Sequence, residues 1–143
     1  MKKITAKDAI IFIILQILGA GLGVLIAHGM FELDIFQISS KLRQGASQGF
    51  SEIIATFGLI LVIFGGLKLR ADAIPALVGF YITSAYWFTA STSFANPAVT
   101  LARSLSDTFA GINPSNIIMF ISCQFIGMLV ALILVKYIFS EKE

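Results

Sequence analysis

Four apolar stretches, each near the length a helix needs to cross a bilayer, constrain this chain more than any other feature. They run over residues of about 9–31, 48–66, 73–89 and 116–139, and a helix of about 20 residues covers about 30 Å. The charges fall between them: Lys2, Lys3 and Lys7, then Glu32 to Arg43, Lys68 to Asp72, and Glu141 to Glu143. Only 13% of the residues are charged and 57% are hydrophobic, whereas a soluble domain carries about 25% charged residues. The expected fold class is therefore an all-α membrane protein, one transmembrane domain over residues 1–143, with the lipid bilayer as a partner. The net charge of +2 is spread without a basic stripe, so nucleic acid is not an expected partner.

The run from Ala9 to Phe31 is too long for a secretory h-region, and no small-residue cleavage site follows it, so it reads as a span. Lys/Arg placement orients the chain. With the N-terminus inside, Lys2, Lys3, Lys7, Lys68, Arg70, Lys136 and Lys142 are cytoplasmic, and only Lys41, Arg43 and Arg103 lie outside. That asymmetry follows the positive-inside rule and puts both termini in the cytoplasm. Tyr86, Trp87 and Tyr137 sit where interfacial aromatic belts are expected.

Residues 90–115 do not read as an ordinary loop. Small residues, Ala90-Ser91-Thr92-Ser93, permit close backbone approach, and Asn96-Pro97 is a helix-start signal of a capping asparagine before an N1 proline. A helix over about 97–109 is expected to stop near Gly111 and Pro114. At about 20 Å it is too short to cross, so it either lies on the surface or re-enters the membrane as a half-helix. Irregular backbone at membrane depth is tolerated where it is buried in protein or lines a wet cavity. An internal similarity adds to this: Ile11-Phe12-Ile13-Ile14-Leu15-Gln16-Ile17-Leu18-Gly19 and Met119-Phe120-Ile121-Ser122-Cys123-Gln124-Phe125-Ile126-Gly127 share Phe-Ile, Gln and Gly in register. Repeats of this kind are common in channels and transporters. In that register Met1 aligns with Phe109.

The segment Ser91-Thr92-Ser93-Phe94-Ala95-Asn96-Pro97-Ala98-Val99-Thr100-Leu101-Ala102-Arg103-Ser104, placed after one apolar helix and before a Gln-x-x-Gly helix, resembles the second pore loop of the major intrinsic proteins, the aquaporins and aquaglyceroporins. Leu105-Ser106-Asp107-Thr108-Phe109-Ala110-Gly111 is similar to a bacterial subset, some associated with arsenic resistance. The resemblance covers roughly residues 8–139 and maps the four helices onto the family's third to sixth. It implies an aquaporin-like fold of four transmembrane helices plus one re-entrant half-helix, with the first part of the fold missing, in a bacterial inner membrane. It implies that Asn96 donates its amide to passing solutes while the positive half-helix end repels cations. Ala98 stands in the same pore tripeptide. Pro97 and Glu52 are then structural, Glu52 accepting hydrogen bonds from the loop backbone. Many members carry arginine after the tripeptide; here Val99 stands there, with Ser93 and Ser84 as the other filter positions of this half. Such a filter is wide and uncharged, suited to glycerol, urea or undissociated arsenous acid. Arg103, one turn along, is a possible substitute for the absent arginine.

The family pore needs two half-helices and this sequence supplies one. Three explanations compete: a separately encoded complementary N-terminal half, a homo-oligomer, or a truncated, non-conducting subunit. The alternative function class is a four-helix proton-coupled exporter using Glu52 as its membrane carboxylate. Gln16 and Gln124 are expected to bond across helices, and Gly19, Gly23, Gly58, Gly79 and Gly127 to mark close crossings. His28 reads as interfacial and Cys123 as a packed small side chain. No nucleophile–base pair, phosphate loop or metal cluster is present in the sequence, so neither enzyme activity nor a cofactor or metal is expected.

Overall fold

The computed structural model describes residues 4–139, and among these every regular element is helical. The calls on Lys2, Lys3 and Lys142 lie outside the described residues. Helix α1 runs Ala6–Met30, α2 Ala46–Leu69, α3 Ile74–Phe88, α4 Pro97–Arg103 and α5 Ile117–Phe139, with short 3-10 turns before α3 and α5. Helix α1 starts three residues earlier than hydropathy suggests because Thr5 caps it. The Thr5 hydroxyl accepts from the Asp8 amide at 3.1 Å and donates to the Asp8 carboxylate at 2.7 Å. Glycine at position 45, with φ +100°, opens α2, a conformation that L side chains resist.

Among the described residues three helical segments are long and apolar enough to cross a membrane: Ala6–Met30, Ala46–Leu69 and Pro114–Ile138. Helix α3, the fourth expected span, has 15 residues, about 22 Å of helix against a hydrocarbon core of about 30 Å. A 3-10 turn over Ala71–Ala73 leads into it, and α3 itself begins one residue after the expected start. Exposed apolar side chains cover α1, among them Ile10, Phe12, Leu15, Leu18 and Leu22, a surface that water does not tolerate and lipid does.

Two compact units emerge from the contacts: residues up to Leu42 together with Ala98–Ile117, and Arg43–Pro97 together with the chain from Ile118 onward. The second unit packs on glycines. A Cβ at Gly58 would meet the Tyr81 hydroxyl of α3, and one at Gly127 of α5 would meet the Ile53 carbonyl of α2. These two glycines mark close helix crossings, as expected from sequence. Gly19, Gly23 and Gly79 do not: nothing lies within 4 Å of their Cβ positions, so no neighbour requires glycine there. Tyr81 also donates its hydroxyl to the Ala55 carbonyl at 2.9 Å, tying α3 to α2. Phe94 and the α5 residue Phe120 pack with their rings tilted at 60°, 5.0 Å between centroids.

Helix α4 stops at Arg103 rather than near Phe109. Three successive amides, of Ser104, Leu105 and Ser106, fold back to the carbonyls three residues earlier, at 3.2, 3.0 and 3.3 Å, which tightens and ends the helix. The carbonyls of Arg103 and Ser104 then accept from the amides of Ile112 (3.3 Å) and Ser39 (2.8 Å), partners that lie off the helix. Seven residues make α4 about 10 Å long, half the length the sequence suggests.

Candidate functional site

In the second unit, the segment between α3 and α4 folds as a tight irregular loop. Thr92, Ser93 and Ala95 all adopt left-handed φ angles, 60°, 46° and 50°. Each such non-glycine residue costs of order 1–3 kcal/mol, so the surroundings must hold the loop in place. Glu52 of α2, fully buried, does much of this. One carboxylate oxygen accepts from the Phe94 amide at 2.9 Å; the other accepts from the Ala95 amide at 3.0 Å and from Gln124 Nε2 of α5 at 2.7 Å. Three donors thus converge on two oxygens. The loop is held at its other end by Ser51, whose hydroxyl accepts from the Ala90 amide at 3.1 Å, and by Gln48, which donates to the Ala90 carbonyl at 3.0 Å.

Ser93 is 2% exposed, and its hydroxyl has no hydrogen-bond partner among the described residues. Asn96, half-buried, is the last residue before α4, and Pro97 is its first. Ser84 is exposed on α3, its hydroxyl donating back to the Phe80 carbonyl at 2.8 Å. Of the expected cross-helix glutamines, Gln124 reaches Glu52, whereas Gln16 is exposed on α1.

In the first unit, a cavity of about 600 Å³ lies between α1 and the segment Val99–Ala110. Ala20, Gly23, Val24 and Ala27 supply one wall at helical spacing, and Val99, Ala102 and Arg103 of α4 supply another. Val99 and Arg103 therefore share one cavity, while Ala98 is buried at the start of the same helix. His28 also lines the cavity and is buried rather than interfacial. Its Nδ1 donates to the Ile35 carbonyl at 2.9 Å, so in the neutral ring Nε2 accepts from the Ser106 hydroxyl, 3.0 Å away. Ser106 in turn lies 3.1 Å from the Thr108 hydroxyl.

The rim of this unit is tied across its two chain segments. Asp107 accepts from the Ser40 amide (2.8 Å) and hydroxyl (2.9 Å), which hold its carboxyl below the ordinary aspartate range. The Asp107 amide donates to Gln37 at 2.8 Å, and the Asn113 amide to the Lys41 carbonyl at 2.7 Å. A Cβ on Gly111 would meet the Ser106 carbonyl and the Ser39 side chain, so glycine is required where the two segments close.

A comparison with curated proteins shows what this chain is similar to. Over 136 residues, 95% of the chain, it is 46% identical to the C-terminal part of aquaglyceroporin AqpS from Rhizobium meliloti (strain 1021). Over nearly its whole length the chain is thus similar to part of an aquaglyceroporin. It spans 58% of that relative's length, and no family model and no solved structure matched it. The tripeptide Asn96-Pro97-Ala98 stands at the junction of the braced loop and the short helix. Among the described residues no group of three His, Cys, Asp or Glu side chains stands together to hold a metal ion.

Sequence reasoning missed the burial of two residues. His28 was read as interfacial and Arg43 as an outward charge, yet they are 2% and 4% exposed. His28 lies in the last turn of α1 and Arg43 in the polar connection before α2, where sequence carries no signal for a partner 78 or 48 residues away.

Proposed function

We propose that this chain forms part of a passive channel for water and small neutral solutes of the glycerol, urea and arsenous acid type. The match to a protein named an aquaglyceroporin, over 136 residues that include the loop and the Asn96-Pro97-Ala98 tripeptide, carries the proposal. In this reading Asn96 and Ser93 offer hydrogen bonds to the passing solute, Ala98 and Val99 form an uncharged wall, and Ser84 completes this half of the filter. Pro97 starts α4, Glu52 braces the loop, and Arg103 stands in for the arginine absent at Val99. The pore is completed by a complementary N-terminal half or by further copies of the chain, in a bacterial inner membrane with both termini cytoplasmic.

The geometry of Glu52 favours this over proton-coupled export. A carboxylate already receiving two backbone amides and Gln124 is built to hold a loop, and a coupling carboxylate must exchange protons with a substrate pathway. No bond is made or broken in such a channel, so the proposed role has no enzymatic step.

Stopped-flow swelling of liposomes containing the purified chain tests the proposal, with water, glycerol and urea as solutes. Swelling above empty liposomes that is lost in Val99→Trp is the expected result for a pore built from this chain. Folded protein giving no permeability alone, and none when co-reconstituted with a first-half segment of an aquaglyceroporin, would overturn it.

A further inference from the structure

Arg43 stands in the polar connection that leads into α2, where its type suggests a solvated surface charge. It is instead 4% exposed, and two contacts of its guanidinium are with the loop between α3 and α4. Its Nη1 donates to the Ser91 carbonyl at 2.9 Å, and its guanidinium carbon lies 5.1 Å from the centroid of the Phe94 ring. Phe94 cannot yield to this contact, because its ring is backed by Phe120 and its amide is held by Glu52. The two residues between these anchors, Thr92 and Ser93, are both left-handed. Their conformation is therefore fixed from both ends, by a cation on Ser91 and Phe94 and by a carboxylate on Phe94 and Ala95. A planar guanidinium suits this task, since it stacks on a ring while donating in its own plane; a lysine ammonium has no such plane.

We propose that Arg43 is a positioning residue of the channel: it sets the loop geometry that decides where the buried Ser93 hydroxyl presents itself to a solute. The proposal deepens the channel reading above and rests on it for the solute, but the positioning itself is a property of the loop. Arg43 does not contact the solute; it acts through Ser91 and Phe94.

Two measurements separate positioning from mere structural support. In the first, Ser93→Cys is made in a Cys123→Ala background, and its reaction with a small water-soluble thiol reagent is timed in detergent. Arg43→Gln is expected to speed the reaction by about 10-fold or more, the equivalent of losing one charge-assisted hydrogen bond. Arg43→Lys is expected to fall between, and Phe94→Leu, which removes the ring but keeps the Ser91 bond, to give about 3-fold. Native Cys123, timed in the Ser93-containing chain, should keep its rate in all three variants. An unchanged rate at position 93, or equal acceleration at 93 and 123, would overturn the proposal. Should Arg43→Gln fail to fold, the Lys and Leu variants carry the same comparison.

The second measurement is the ratio of urea to glycerol permeability in liposomes. Arg43→Gln should shift the ratio at least about 3-fold, because a displaced hydroxyl discriminates differently; a purely structural loss lowers both solutes together and overturns the proposal. A wild-type chain that does not conduct, with the thiol pattern as expected, would remove the channel reading and leave the positioning of the loop standing.

Discussion

Glu52→Gln replaces one oxygen of the buried carboxylate by an amide nitrogen with almost no change in volume, so its cost is purely one of hydrogen bonding. If the new amide keeps its oxygen at the position that receives Ala95 and Gln124, its NH₂ faces the Phe94 amide, donor against donor. Flipping the amide satisfies Phe94 and lets Gln124 turn its own oxygen inward, but then the Ala95 amide is stranded. Either way one buried backbone N–H is orphaned, at about 1–3 kcal/mol, and the surviving bonds lose their charge assistance, at about 1 kcal/mol or more. A total of about 3 kcal/mol is comparable to the strain of the left-handed residues Thr92, Ser93 and Ala95 that the brace opposes. The loop should therefore let go before the helices do. Hydrogen exchange in detergent is the assay: protection at the Phe94 and Ala95 amides should fall by about 100-fold, with the centre of α2 unchanged. Exchange at those two amides staying within threefold of wild type, in a folded variant, would refute the view that Glu52 holds the loop.

Three further outcomes are expected. Gly127→Val pushes a branched side chain into the Ile53 carbonyl, backbone that cannot rotate away, and should cost about 1–3 kcal/mol in a detergent melt. His28→Phe keeps an aromatic ring but leaves the Ile35 carbonyl without its donor and removes the bond to Ser106, and should cost about 1–3 kcal/mol in the same assay. The Asp107 carboxyl is held below its unfolded value by Ser40, so its contribution is present above the unfolded pKa of about 4 and is lost as pH falls through the lower folded value. Exchange at the Ser40 amide should accelerate on acidification below about pH 4 beyond its intrinsic pH dependence, and Asp107→Asn should remove that step.

Much of the fold was legible because the bilayer makes it so. Apolar runs of crossing length have one backbone solution, the helix, and the observed bounds of α2, α3 and α5 lie within three residues of those read from hydropathy. Helix α4 begins at Pro97, where the sequence carries a start signal, and ends at Arg103, six residues before the expected end. Asn96-Pro97 is a local signal, whereas the stop at Arg103 depends on Ser39 and Ile112, neither of which is a neighbour in the chain. The internal similarity shows the same division. Gln16 and Gln124 occupy matching places in matching sequences, yet only Gln124 meets a carboxylate, because Glu52 faces α5. Gly19 and Gly127 match as well, and only Gly127 has a backbone against it.

By itself, then, the sequence determined the solvent this protein lives in, its helical class, its family motif and the identity of the buried carboxylate. Those follow from hydropathy, from a tripeptide with local helix-starting chemistry, and from the cost of an ionisable residue within an apolar run. The tertiary structure decided which polar groups found each other: Arg43 with Ser91 and Phe94, His28 with Ser106, Glu52 with Gln124. A hydrogen bond between residues 48 to 78 apart is written in no local pattern. It exists because burial removes water as a partner, and an unpaired polar group in a dry interior costs more than the fold can spare.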